Sequence, residues 1–250
     1  MAGDNARSPM SASNVHAQCD EFSLSASEAG RLRELLPMGI SVAATCKQMT
    51  SELLLSEERA AIASCVPKRA AEFATGRWCA RQAMARLGIR GFPLLPNADR
   101  APVWPPNIVG SITHTEGYCA AAVGRRDRFV GIGIDAEMRD RVALEVWSLL
   151  FTAAEIDWLE QLPTHLRATM ATVLFSAKES FYKAQYSLTG AWLEFRAVTI
   201  IVSGDSWNLR LESSQGILAK LRLPISGRFV LCDRIVVTAI AIEKIQIASS

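Results

Sequence analysis

FVGIGIDAE, residues 129–137, alternates with the period of a β-strand. Val130, Ile132, Ile134 and Ala136 fall on one face, which is apolar and predicted to pack inward. Phe129, Gly131, Gly133, Asp135 and Glu137 fall on the other. Asp135 and Glu137 are then neighbours, about 7 Å apart at their Cα atoms. Two adjacent carboxylates repel each other unless a cation or a proton lies between them. Oxygen donors with room for a phosphate suit Mg²⁺, which keeps part of its water shell and shares the rest with substrate. The two glycines are expected to leave space for a ligand to approach. A D-x-E pattern is short, however, and an acidic strand end in solvent satisfies it equally.

About 40 residues further on stands FSAKESFYKAQY, residues 175–186. On a helical wheel Leu166, Met170, Val173, Leu174, Ala177, Phe181, Ala184 and Leu188 form one core stripe. Phe175, Glu179, Tyr182, Lys183 and Tyr186 fall opposite. A solvated face does not normally carry three aromatics beside its charges, so this side is expected to line a cleft or an interface. Glu179 and Lys183 also fit an ordinary i,i+4 surface pair.

Outward from these segments the chain reads as α+β. Helices are expected over 27–37, 55–66 and 68–88, the last with Phe73, Ala80, Met84 and Leu87 as its apolar stripe and Gly88 as its stop. A Pro-rich loop covers 91–107, strands follow near 108–112 and 118–124, and a helical zone spans about 142–188. After it the pattern turns to period two in WNLRLES, ILAKLRLP, RFVLC and RIVVTAIAI, an antiparallel sheet. The expected division is a disordered tail over 1–20, an N-terminal half over 21–129 and a C-terminal half over 130–250.

The 250 residues carry a formal charge of +2 with no extended basic block, which disfavours a nucleic-acid binder. No run of about 18 apolar residues and no signal-peptide core occurs, so neither membrane insertion nor export is expected. Six cysteines without a CxxC pair point to a reducing cytoplasm. Three histidines without metal spacing argue against zinc. Walker A, GxGxxG and GxSxG patterns are absent. Arg69 and Arg77, eight residues apart on one helix, could both reach one anion, and arginine suits phosphate. His114 stands at a strand exit, where it could pair with a phosphate.

Three blocks together resemble the 4′-phosphopantetheinyl transferases of the surfactin-synthetase-activating type, within the enterobactin synthase component D group. They are KRAAEFATGRWCAR (68–81), APVWPPNIVGSITH (101–114), and GIDAE (133–137) with FSAKESFYK (175–183). The likeness covers roughly residues 50–190. It implies a monomer of two similar α/β halves with the active site in the cleft between them. It implies transfer of 4′-phosphopantetheine from coenzyme A, as co-substrate, to a serine of an apo carrier protein, in service of nonribosomal peptide or siderophore synthesis. Asp135, Glu137 and Glu179 would hold Mg²⁺ (or Mn²⁺). Glu179 would deprotonate the serine and Lys183 would stabilise the leaving phosphate. Arg69, Arg77, Arg100, Thr113, His114, Asp135 and Lys183 would bind coenzyme A. The family commonly has Cys after the histidine, where this chain has Thr115. A metal-dependent nucleotide pyrophosphate hydrolase, or a non-catalytic module that binds coenzyme A or a carrier, would use the same residue types.

Overall fold

The computed structural model describes residues 31–212 and 224–244. The tail over 1–20, the first residues of the 27–37 helix and most of the strand ILAKLRLP lie outside them. Two antiparallel sheets form the body. The first has the order β1-β3-β2, from β1 (Ser41–Thr45), β2 (Ile108–Thr115) and β3 (Tyr118–Arg125). The second has the order β4-β8-β7-β6-β5, from β4 (Phe129–Met138), β5 (Val198–Ser203), β6 (Ser206–Leu211), β7 (Ser226–Leu231) and β8 (Ile235–Glu243). The helices are α1 (Ser56–Ala61), α2 (Pro67–Ala85), α3 (Trp147–Leu150), α4 (Ala153–Gln161) and α5 (Thr164–Thr189). No helix among the described residues is long and apolar enough to cross a membrane.

Side-chain alternation sorts the strands into layers. On β8, Ile235, Val237 and Ala239 point into the core shared with the first sheet, while Val236, Ile240 and Ile242 point into the core under α5. On β3, Ala120 and Ala122 join the shared core, while Cys119, Ala121 and Val123 face α2. The order is therefore α2, first sheet, second sheet, α5, with apolar layers between them. The two halves share a connection pattern. In the first, a strand, a helix and a hairpin (β1, α2, β2–β3) place the first strand beside the last. In the second, β4, α5 and β7–β8 do the same, and the β5–β6 hairpin extends the edge.

The helix ends follow local chemistry. Pro67 opens α2, where its missing N–H costs nothing. Beyond Ala85 the chain closes with Gly88 N–H to Ala85 O and Ile89 N–H to Met84 O, and Gly88 takes φ +84°. Those two bonds satisfy the last carbonyls, so Gly88 is the stop that its position predicted. The sequence reading did not include β1 or β5. In SVAAT the strand is built of small residues with little contrast between faces, and Ala43 pairs with Ala121 under α2.

The strand β4 departs from the simple alternation in two ways. A register shift between Phe129 and Gly131 turns Phe129 into the shared core with Ile132, Ile134 and Ala136, and Val130 into the core under α5. The glycines do not open a ligand space. A Cβ at Gly133 would lie 1.7 Å from Ser180 O, and one at Gly131 would lie 2.4 Å from Ala184 O. They let the backbone of α5 lie directly on the strand.

Candidate active site

That close approach brings Asp135 against α5. Asp135 is 3% exposed. Its Oδ1 accepts from Lys183 Nζ at 2.6 Å and from Thr113 Oγ1 at 3.3 Å, and its Oδ2 accepts from Ser176 Oγ at 2.8 Å. Lys183 Nζ also donates to Ile134 O at 3.2 Å. Lys183 thus pairs with the strand acid, not with Glu179 one turn earlier. Thr113 comes from β2 in the first half, where its hydroxyl also accepts from Ala136 N–H at 3.0 Å. One residue pair earlier, Ser111 Oγ accepts from Ile134 N–H at 3.1 Å. Hydroxyls on β2 therefore take the place of a missing ladder along the seam between the sheets, and the acid sits on that seam.

Glu137 is half-buried and pairs with Arg141 at 3.3 Å. Its burial and the Asp135 charge push its carboxyl up to about 7, against the pull of Arg141 and Lys183. Burial also raises Glu179; Lys183 opposes the shift and Asp135 adds to it. Three carboxylates therefore lie within electrostatic reach of one another and of one ammonium. Among the described residues, no three His, Cys, Asp or Glu side chains are gathered closely enough to hold a metal ion as they stand.

The basic residues form a second group on α2 and the end of β2. His114 Nε2 and Arg69 both reach Glu72 Oε2, at 3.3 Å and 3.5 Å. Partial burial of its ring holds His114 below its usual range, and Arg69 and Lys183 push the same way against Glu72. The shift favours the neutral imidazole. Arg77 is 7% exposed, donates from Nε to Leu94 O at 2.8 Å and stacks 3.9 Å over the Phe73 ring. Burial draws its pKa down to about 10. Arg100 is not joined to this group. It sits at φ +65° on an exposed loop whose turn is closed by Asn97.

Of the three aromatics opposite the core stripe, two are covered from within. Phe175 stacks on Phe195 at 5.5 Å, and Tyr182 meets the same ring edge-on and donates to Glu194 O at 2.8 Å. Only Tyr186 faces the first half, where its hydroxyl donates to Asp99 and accepts from Asn97 Nδ2.

The sequence reading missed Ser176, Ser111, Thr238 and Glu72. A signal existed for the first: Ser176, Ser180 and Lys183 recur at i, i+4 and i+7, which puts two small hydroxyls on the helix face that meets β4. Both serines bond Thr238 of β8, at 2.9 Å and 2.6 Å. Lys178, next to Glu179, was also unassigned. It is fully buried, pairs with Glu155 at 2.8 Å and donates to Leu150 O, Phe195 O and Val198 O. It anchors α5 to the rest of its half.

Residues 57–124 match the family model of the 4′-phosphopantetheinyl transferase N-terminal domain. Residues 131–222 match that of the 4′-phosphopantetheinyl transferase superfamily, so the likeness runs well past residue 190 into the strand-rich part. The chain is 41% identical to 4′-phosphopantetheinyl transferase Svp of Streptomyces mobaraensis over 76% of this chain and 79% of that one. It is 34% identical to 4′-phosphopantetheinyl transferase Npt of Nocardia iowensis over 84% of this chain and 99% of that one. Enterobactin synthase component D of Salmonella typhi is 36% identical over 47% of this chain and 48% of that one. The chain belongs to the 4′-phosphopantetheinyl transferases.

Proposed function

We propose that the seam around Asp135 is where this chain performs the transfer of 4′-phosphopantetheine from coenzyme A to a serine of an apo carrier protein. The observation that carries the reading is the contact of Asp135 with Lys183 and with Thr113 of the other half, with Glu137 and Glu179 in electrostatic reach. In the step itself, the serine oxygen forms a bond to the pantetheine-side phosphorus of the pyrophosphate. The bond from that phosphorus to the bridging oxygen breaks, and adenosine 3′,5′-bisphosphate leaves. Glu179, whose burial makes it a stronger base than an exposed carboxylate, takes the serine proton directly or through water. Lys183 offers its ammonium to the departing phosphate. Arg69, Arg77, Thr113 and His114 hold the nucleotide, and Arg100 adds a charge from its loop. The C-terminal half, 130–250, thus supplies the acids, and the N-terminal half, 21–129, most of the coenzyme A contacts.

The acids fit a divalent cation. Burial raises both Glu137 and Glu179 and the Asp135 charge adds to it, so a cation bound among these carboxylates would favour the ionised forms that burial disfavours. Mg²⁺, or Mn²⁺, would be held by Asp135, Glu137 and Glu179 together with pyrophosphate oxygens, and supplies charge neutralisation there. Mg²⁺ needs few protein ligands when the substrate brings phosphates, so a preformed cage is not required. The name of the Salmonella relative points to nonribosomal siderophore synthesis as the pathway, and we take a cytoplasmic monomer as the working form.

The test is labelling of purified apo carrier proteins with a fluorescent coenzyme A analogue, with and without Mg²⁺. Labelling that depends on Mg²⁺ is expected. No label on any of several carrier types overturns the reading, and release of phosphopantetheine to water at the same rate without a carrier would replace it with hydrolysis.

A pH dependence follows. The folded protein holds the Glu137 proton up to about 7, whereas the free side chain loses it near 4.5. Between those values the native state binds more protons than the unfolded chain, so stability without cation falls as pH rises from about 4.5 to 7. Cation binding needs the anion and strengthens over the same range. The thermal shift produced by a fixed Mg²⁺ concentration should be small at pH 5.5 and reach its plateau above pH 7.5.

A further inference from the structure

Glu58 of α1 takes no part in the transfer just described, yet it is a fully buried carboxylate. Its Oε2 accepts from Arg81 NH1 at 2.6 Å and from Leu55 N–H at 3.0 Å, and its Oε1 accepts from Leu94 N–H at 3.0 Å. Leu94, itself fully buried, uses its carbonyl to accept from Arg77 Nε at 2.8 Å. Both polar groups of one backbone residue are thus committed, one to Glu58 and the other to Arg77. The Phe73 ring lies 3.9 Å beneath the Arg77 guanidinium.

We propose that Glu58 is a positioning residue for coenzyme A binding: through Leu94 it fixes the plane of Arg77, so that the two terminal nitrogens face a phosphate monoester as a preset fork. The inference rests on the assignment of Arg77 to the nucleotide made above. A guanidinium fastened at Nε and by one face keeps four N–H groups for two anion oxygens. The orientation is set before the ligand arrives, which lowers the ordering cost of binding. Charge acts in the same direction. Burial and the neighbouring Arg69 and Arg81 all disfavour a cation at Arg77, and Glu58 is the largest influence that favours it. Glu58 pairs with Arg81 and Glu72 with Arg69, which leaves the Arg77 charge without an ion-pair partner of its own in the cluster, and that excess positive charge fits a phosphate.

The experiment uses Glu58→Gln, Arg77→Met and the double variant in the full-length chain. The readouts are the KM for coenzyme A, kcat, the Kd for adenosine 3′,5′-bisphosphate by calorimetry, and Tm. Glu58→Gln keeps an acceptor for Leu94 and removes the charge, and should raise both KM and Kd about tenfold with kcat within about twofold. Arg77→Met should raise them as much or more, and the double variant should be no worse than Arg77→Met alone. A Glu58→Gln protein with lowered Tm and unchanged Kd would show a purely structural role. Additive losses in the double variant would show that Glu58 does not act through Arg77. An unchanged Kd in Arg77→Met overturns the nucleotide assignment itself, and is told apart from the other two because it appears without any change at Glu58. If Glu58→Gln does not fold, Glu58→Asp, which keeps the charge and shortens the reach to Leu94, is expected to show the same KM rise. Full affinity in a folded Glu58→Asp protein counts against the proposal.

Discussion

Gly133→Ala is expected to destabilise the fold strongly, although it adds one methyl group. The added Cβ would sit 1.7 Å from Ser180 O, 2.7 Å from Ser180 C and 3.0 Å from Ala184 N. All three are backbone atoms of α5, which side-chain rotation cannot move. The helix must lift from β4, and the bonds from Asp135 to Ser176 and Lys183 lengthen with it. Overpacking costs about 1–3 kcal/mol, and a clash with backbone atoms puts this site at the upper end, about 3 kcal/mol. In a domain of this size that lowers Tm by about 10 °C. Gly76→Ala provides the contrast. Its Cβ would meet only the Ile112 Cγ2 methyl at 3.0 Å, and alanine favours a helix interior by about 1 kcal/mol. A thermal melt of both variants checks the difference. Equal Tm values would mean that α5 and β4 are not in the close contact described.

Glu179→Gln is expected to collapse turnover by a factor of about 10²–10⁴, the range for removal of a general base. Shape is kept and a charge that burial already disfavours is removed, so the melting temperature should hold or rise slightly. Steady-state transfer to an apo carrier and a parallel melt test this. A retained rate would take Glu179 out of the proton transfer, and a Tm lowered by many degrees would make it a structural residue.

The residue pattern of the candidate site was more legible than the packing around it. GIDAE and FSAKESFYK carry rare residue types at fixed spacing, and period two marked β6, β7 and β8 without ambiguity. What the glycines accommodate is different. A sequence shows that space is left at Gly131 and Gly133, but ligand and helix backbone leave the same trace. The bulge that turns Phe129 inward is equally silent, because it changes pairing and not composition. In β1 the alanines have little strand preference of their own, and only the neighbouring β3 and the closeness of α2 make them fit. Lys178 and Glu58 look like surface charges in helical segments. Their burial depends on partners far along the chain: Arg81 and Leu94, 23 and 36 residues from Glu58, and Phe195, Val198 and Leu150, 17, 20 and 28 residues from Lys178.

The apolar layer between the two sheets has a consequence for how separable the halves are. Val42, Ala120 and Ala122 on one side and Ile134, Val237 and Ala239 on the other form one interior, and only the short turn between Arg125 and Phe129 joins β3 to β4. The molecule is in effect an internal dimer on a short tether. The tether supplies a high effective concentration and little else. A chain cut at that turn would behave as two complementing fragments rather than two working modules. The bond between Thr113 and Asp135, which takes one residue from each fragment, would then form only on their reassembly.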